Sequence, residues 1–129
     1  MKKIILSFAM IATIGLVSCK NETKKEKIEE TSKEMATTNV SFGVRGNCGM
    51  CKTTIEKAAN AVDGVKSATW NVDKKNIEVS FDETKTDIIA IHKAIAASGY
   101  DTEKVDGDLE AYNNLSGCCK YDHNMKMNQ

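Results

Sequence analysis

The stretch Val44–Lys57, V-R-G-N-C-G-M-C-K-T-T-I-E-K, sets two thiols three residues apart between a strand-like run and a helix-like one. Cys48 falls in the turn and Cys51 near the first helical position, so both sulfurs lie beside unpaired amide N–H groups and the positive end of a helix dipole. Both effects favour thiolate over thiol. Two converging thiolates either clamp a soft cation such as Cu(I) or close into a reversible disulfide, and the function question reduces to that choice.

Working outward, Val40, Phe42 and Val44 alternate with polar or small residues, as a half-buried strand requires. Beyond Cys51, Ile55, Ala58, Ala59 and Val62 repeat at helical spacing while Lys52, Glu56, Lys57 and Asn60 take the other face, and Gly64 stops the helix. Ala68, Trp70 and Val72 alternate, Asp73 to Asn76 turn, and Ile77, Val79 and Phe81 alternate again, which predicts a hairpin. Thr86 or Asp87 caps a second helix whose Ile88, Ile91 and Ile95 share a face, Gly99 ends it, and Tyr100–Val105 is predicted as a last strand. The order strand, helix, strand, strand, helix, strand matches the split βαβ ferredoxin-like arrangement. The expected class is α+β: a four-stranded antiparallel sheet with two helices on one face, leaving the cysteine loop at an exposed end.

The chain of 129 residues has room for one modest domain with extensions. Its 18 basic and 18 acidic residues cancel, so no basic field marks a nucleic-acid partner. Aromatics make up 5% of the chain, which predicts a core of Ile, Val and Ala, and proline is absent, which removes any architecture that depends on a cis-proline.

The termini differ from the middle. Lys2 and Lys3, the apolar run Ile4–Val17 and the small residues before Cys19 have the layout of an export signal, too short for a comfortable membrane span. Leu16, Val17, Ser18 and Cys19 resemble the lipobox of bacterial lipoprotein precursors, which implies cleavage after Ser18 and acylation of Cys19; an ordinary signal peptide with an incidental cysteine is the alternative. The expected location is the cell envelope, outside the cytoplasm, with the lipid holding the chain to a membrane on its periplasmic or outer-membrane face. Residues 19–38, rich in Lys and Glu, bury too little apolar surface to fold and read as a tether. The domain is expected over residues 39–106 and a C-terminal extension over 107–129.

With the element order and the loop in view, Asn39 to Asp106 resembles the heavy-metal-associated domain, the fold of copper chaperones, of N-terminal modules of copper-transporting ATPases and of the periplasmic mercuric-ion-binding protein. The resemblance is carried by C-x-x-C between first strand and first helix, then Ile55, Glu56, Ala58 and a Gly64-Val65 turn. It implies that Cys48 and Cys51 are metal ligands, that Tyr100 is a neighbour of the site, and that a metal-transporting ATPase or another metal-accepting protein is the partner. One departure stands out. The family usually has Gly-Met-Thr or Gly-Met-Ser before the first cysteine, with that methionine bracing the loop; here Arg45, Gly46 and Asn47 stand there and Met50 lies between the cysteines.

The expected function is capture of a soft heavy-metal ion at Cys48 and Cys51 and its transfer by ligand exchange, without catalysis. Cu(I) suits two thiolates and Hg(II) is also soft, whereas Zn(II) asks for four ligands and the loop offers two. One rival is a thiol-disulfide redox protein using the same cysteines, although the facing cis-proline of thioredoxin-like enzymes has no counterpart here. Another is an envelope-structure lipoprotein in which the domain only packs. Lys52 is read either as an offset for site charge or as a solvated lysine, His92 as a helix-surface residue without a role, and Trp70 as core. In the tail, Cys118, Cys119, Tyr121, His123, Met125 and Met127 gather soft or borderline ligands. They form either a frayed end or an auxiliary metal site: Cys118 or Cys119 returning to the loop as a third thiolate, or His123, Met125 and Met127 as a separate copper site. A short helix over Asp108–Leu115, capped by Asp108, leaves that return within reach.

Overall fold

The computed structural model describes residues 36–129; the export signal, Cys19 and nearly all of the tether lie outside the described residues. Strand β1 (Thr37–Gly43) starts two residues earlier than the alternation of large apolar residues indicated. It pairs antiparallel with β3 (Asn76–Asp82), Val40 opposite Val79 and Phe42 opposite Ile77, and β3 pairs with β2 (Val65–Asn71), Trp70 again opposite Ile77. The sheet order is β1-β3-β2. Period-two alternation puts Phe42, Ala68, Trp70, Ile77, Val79 and Phe81 on one face, where all are buried.

That face is covered by α1 (Gly49–Asn60) and α2 (Ile88–Ala97). Helix α1 buries Cys51, Ile55 and Ala59, one row at four-residue spacing, so the second cysteine of the loop is itself a core residue. Helix α2 buries Ile91, His92, Ile95 and Ala96, and Asp87 caps it by accepting from Ala90 N at 2.8 Å. Each Ile or Phe so buried contributes about 1.5–3 kcal/mol relative to exposure. The result is a ferredoxin-like α+β sandwich with its helices on one side of an antiparallel sheet.

The last strand is shorter than the pattern predicts. A single antiparallel bridge joins Val44 to Thr102, flanked by Arg45 N–H to Asp101 O at 2.9 Å and Glu103 N–H to Gly43 O at 3.0 Å. It stops there because Thr102 turns the chain back: its N–H reaches Val105 O at 2.8 Å and its hydroxyl accepts from Val105 N at 3.0 Å. Among the described residues the sheet therefore has three strands and a bridge in place of four strands.

Two expectations about the core are corrected. His92 is not a surface residue: it is fully buried, its ring 3.8 Å from that of Phe42 and its Nδ1 2.7 Å from Thr102 Oγ1, and burial lowers its pKa. Helix α2 is so apolar that the position beside Ile91 also faces inward. The aromatics, though few, fill the core rather than leaving it to Ile, Val and Ala, since Phe42, Trp70, Phe81, Tyr100 and Tyr121 are all buried.

The tail beyond residue 106 packs on the domain. Helix α3 (Leu109–Asn113), capped by Asp108 through Ala111 N at 2.8 Å, lies so close to Gly99 that a Cβ there would stand 2.6 Å from Tyr112 N. Gly99 also has φ +92°, and both facts demand glycine. Past a 3₁₀ turn at Gly117–Cys119, Tyr121 is buried; its hydroxyl accepts from Asp101 N at 2.8 Å and donates to Gly99 O at 2.9 Å. The chain then runs to Gln129, whose N–H reaches Lys74 O at 2.8 Å.

Candidate metal centre

Cys48 is the N-cap of α1, in extended conformation, and Cys51 is the third helical residue, so the helix starts two residues sooner than expected. The sulfur of Cys48 faces the N–H groups of Cys51 and Met50. The Cys51 amide is the largest influence, burial opposes it, and together with the neighbouring thiols these groups lower the Cys48 pKa to about 7. Its Sγ lies 3.6 Å from Cys51 Sγ, and Cys51 Sγ also accepts from Asn47 N at 3.3 Å.

The tail delivers two more thiols. Cys119 Sγ lies 3.9 Å from Cys48 Sγ and 3.9 Å from Cys118 Sγ, and Cys118 Sγ lies 3.6 Å from the thioether of Met50. All four cysteines among the described residues are free. Cys48, Cys118 and Cys119 keep their sulfurs within 4.8 Å of one another, and Cys51 stands outside that group. The sulfurs thus form a row that rises from the core to solvent: Cys51 fully buried, Cys119 buried, Cys48 half-buried, Cys118 and Met50 exposed. Burial first, then the neighbouring Cys51 thiol, pushes the Cys119 pKa up to about 12. Tyr100 closes the floor. Its hydroxyl is buried without a hydrogen-bond partner among the described residues, and burial, followed by the Cys119 and Cys51 thiols, raises its pKa.

Of the residues that replace the motif of the resembled domain, Arg45 and Asn47 seat the tail and Gly46 makes room for Trp70. Gly46 is buried, and a Cβ there would meet the Trp70 ring at 3.0 Å and Cys51 Cβ at 3.2 Å. Trp70, fixed by its Nε1–H donating to Val44 O at 3.0 Å, thus fills the space beneath the loop and braces it; a methionine at Gly46 has no room. Asn47 Nδ2 donates to Lys120 O at 2.9 Å, and Arg45 Nε donates to Met125 O at 2.8 Å while its Nη1 pairs with Asp101 Oδ2 at 3.1 Å. Burial would raise the Asp101 pKa, but the Gly107 N–H, His123 and Tyr121 outweigh it and hold the carboxyl below its ordinary value.

Other expectations change here. Lys52 neither offsets the thiols nor sits free in water: its ammonium pairs with Glu56 and donates to Trp70 O at 2.7 Å, tying α1 to β2. His123, Met125 and Met127, read in one alternative as a separate copper site, each have other neighbours. His123 Nδ1 lies 2.7 Å from Asp101 Oδ2, Met125 packs against the core, and Met127 lies over Gly43. Deleting residues 118–129 would remove Tyr121 from the core, so it cannot leave the domain intact. Asp101 positions the site without having been singled out, and Arg45, Asn47 and Tyr121 do so in roles the sequence did not suggest for them.

A model of the heavy-metal-associated domain matches residues 46–101. The copper chaperone CopZ of Staphylococcus aureus (strain JH9) is 38% identical over 55 residues, which are 43% of this chain and 81% of that protein. The chain belongs to the heavy-metal-associated domain family. Among solved structures, oxidized MerP from Ralstonia metallidurans CH34 is 33% identical with a TM-score of 0.51, covering 53% of this chain and 96% of that one. The putative copper-ion-binding protein from Bacillus anthracis str. Ames is 26% identical with a TM-score of 0.51, covering 54% of this chain and 99% of that one. The domain model ends at residue 101, so Cys118 and Cys119 lie beyond it.

Proposed function

We propose that this protein is a lipid-anchored, extracytoplasmic carrier of a soft metal ion, Cu(I) in the first place and Hg(II) in the second, held by Cys48 and Cys51 with Cys119 as third thiolate. It binds and passes on its cargo and catalyses no reaction. The observation that carries the reading is the convergence of sulfurs at a helix N-terminus. With a metal–thiolate bond of about 2.3 Å, a linear pair of sulfurs stands about 4.6 Å apart and a three-thiolate triangle about 4 Å on edge. The 3.6 Å between Cys48 and Cys51 and the 3.9 Å between Cys48 and Cys119 are closer to two edges of the triangle than to the linear span. Zn(II) fits less well, since it asks for four ligands and this set offers three thiolates. Kinship with the copper chaperone CopZ supports copper, and likeness to MerP supports mercury.

Transfer follows from ligand exchange. An incoming thiolate from a metal-accepting protein, such as the N-terminal module of a metal-transporting ATPase, adds at the exposed side beside Cys48, and the buried sulfurs leave last. A third thiolate slows that departure, which favours holding the ion over rapid hand-off. The anchor belongs to the same proposal and rests on the sequence Met1–Cys19.

Metal analysis of the full chain purified under reducing conditions tests the reading. Copper should be retained by the native protein and lost from the variant carrying Cys48→Ser and Cys51→Ser. Equal retention by both would overturn it, and reversible Cys48–Cys51 oxidation with no retained metal would favour the thiol-disulfide rival.

A further inference from the structure

The three-thiolate site uses only part of the sulfur in this corner of the molecule. Cys118 Sγ points at the same pair from the solvent side: it is 3.9 Å from Cys119 Sγ, within 4.8 Å of Cys48 Sγ, and 3.6 Å from Met50 Sδ. The Cys48–Cys119 edge, 3.9 Å long, is therefore common to two triangles of sulfur, one completed inward by Cys51 and the other outward by Cys118. Two edges of each, 3.6 and 3.9 Å inward and 3.9 and 3.9 Å outward, are close to the roughly 4 Å that a three-thiolate ion with bonds of about 2.3 Å requires. A thiolate has lone pairs enough to bridge two soft cations, and Cys48 and Cys119 each face both triangles.

We infer that the protein holds two Cu(I) ions, bridged by Cys48 and Cys119, the inner one completed by Cys51 and the outer one by Cys118 with the Met50 thioether at its rim. The inference rests on the soft-metal reading of the inner site. The balance is simple: four thiols give up four protons, two Cu(I) ions enter, and the four thiolates with two monovalent cations leave the cluster two units negative, with no change in oxidation state. The neutral thioether adds a soft donor without adding charge. The exposure gradient gives the two ions different roles. The outer ion is met first by solvent or by a partner, and the inner one lies against Tyr100 in the core. The position of Met50 between the cysteines, unusual against the family pattern, is explained by the outer site, since a methionine at Gly46 would point into Trp70 and away from Cys118.

The test is an anaerobic Cu(I) titration of the full chain against a chromophoric Cu(I) chelator, with Cys19→Ser in every arm so that the fifth thiol takes no part. Native mass spectrometry counts the ions on the monomer. The expected result is two Cu(I) per chain, one per chain in Cys118→Ser, and a second ion at least tenfold weaker with an unchanged first in Met50→Leu. Cys118 and Met50 are exposed, so neither substitution threatens the fold. Saturation of the native chain at one ion would overturn the inference and leave the inner site standing. Two ions in both the native chain and Cys118→Ser would also overturn it, as the outer ion would lie elsewhere. No retained Cu(I) in any arm would remove the inner site as well.

Discussion

At the scale of single residues, the loop chemistry depends on the contrast between Cys48 and Cys119, sulfurs 3.9 Å apart with opposite surroundings. The Cys51 and Met50 amides at the start of α1 hold the Cys48 pKa near 7, while burial pushes that of Cys119 up to about 12. A lowered pKa means that the charged form persists as pH falls to about 7, so Cys48 should react as a thiolate through the neutral range. Its alkylation by iodoacetamide, followed by mass spectrometry in the metal-free reduced protein, should be half-maximal near pH 7, whereas an unperturbed thiol reaches half its plateau at about pH 8.5. Cys119 should stay unmodified throughout. A Cys48 profile centred near pH 8.5 would remove the helix N-terminus from the account. The thiol pair and the thiolate character of Cys48 were legible in C-x-x-C followed by a helical repeat. The brace was not, because nothing in the spacing of Trp70 says that its ring fills the place of a side chain at Gly46.

At the scale of elements, the periodicities located β1, α1, β2, β3 and α2, and Asp87 and Gly99 bounded α2 as capping chemistry requires. Local pattern failed where pairing is decided at a distance. Residues 100–105 alternate acceptably for a strand, but the Thr102 hydroxyl offers the backbone a turn in competition with the ladder, leaving one bridge to Val44. The tail was the larger gap: its polar composition reads as a loose end, and only the fold shows Tyr121 inserted beside Gly99 and Asp101. Tyr121 joins two backbone groups through one hydroxyl, so Tyr121→Phe leaves the Asp101 N–H and the Gly99 carbonyl without that partner. The expected cost is about 1–3 kcal/mol in urea unfolding, together with faster alkylation of Cys119 as the tail loosens. Unchanged stability with Cys119 still protected would contradict the docked tail.

At the scale of the whole molecule, a segment beyond the family domain folds back over the cysteine loop, and Arg45 and Asn47, which differ from the family pattern, hold it there. For the proposed anchor, residues 16–19 resemble a lipobox and the residues that follow are rich in Lys and Glu, a composition that supplies little apolar surface for a membrane. Cys19→Ala should therefore move the protein from the membrane to the soluble fraction or stall it as precursor; unchanged fractionation and mature mass would dismiss the anchor. A carrier held at a membrane gains by keeping its ion until a partner arrives, and a third thiolate achieves this by slowing loss. The most direct measurement is therefore competition for Cu(I) between a chelator and the reduced full chain, comparing the native protein, Cys119→Ser, and Cys48→Ser with Cys51→Ser. The native protein should retain Cu(I) at least tenfold better than Cys119→Ser, with the double variant retaining none, each tenfold corresponding to about 1.4 kcal/mol. Identical retention by the native protein and Cys119→Ser would contradict the three-thiolate site, and retention by the double variant would contradict metal binding at the loop.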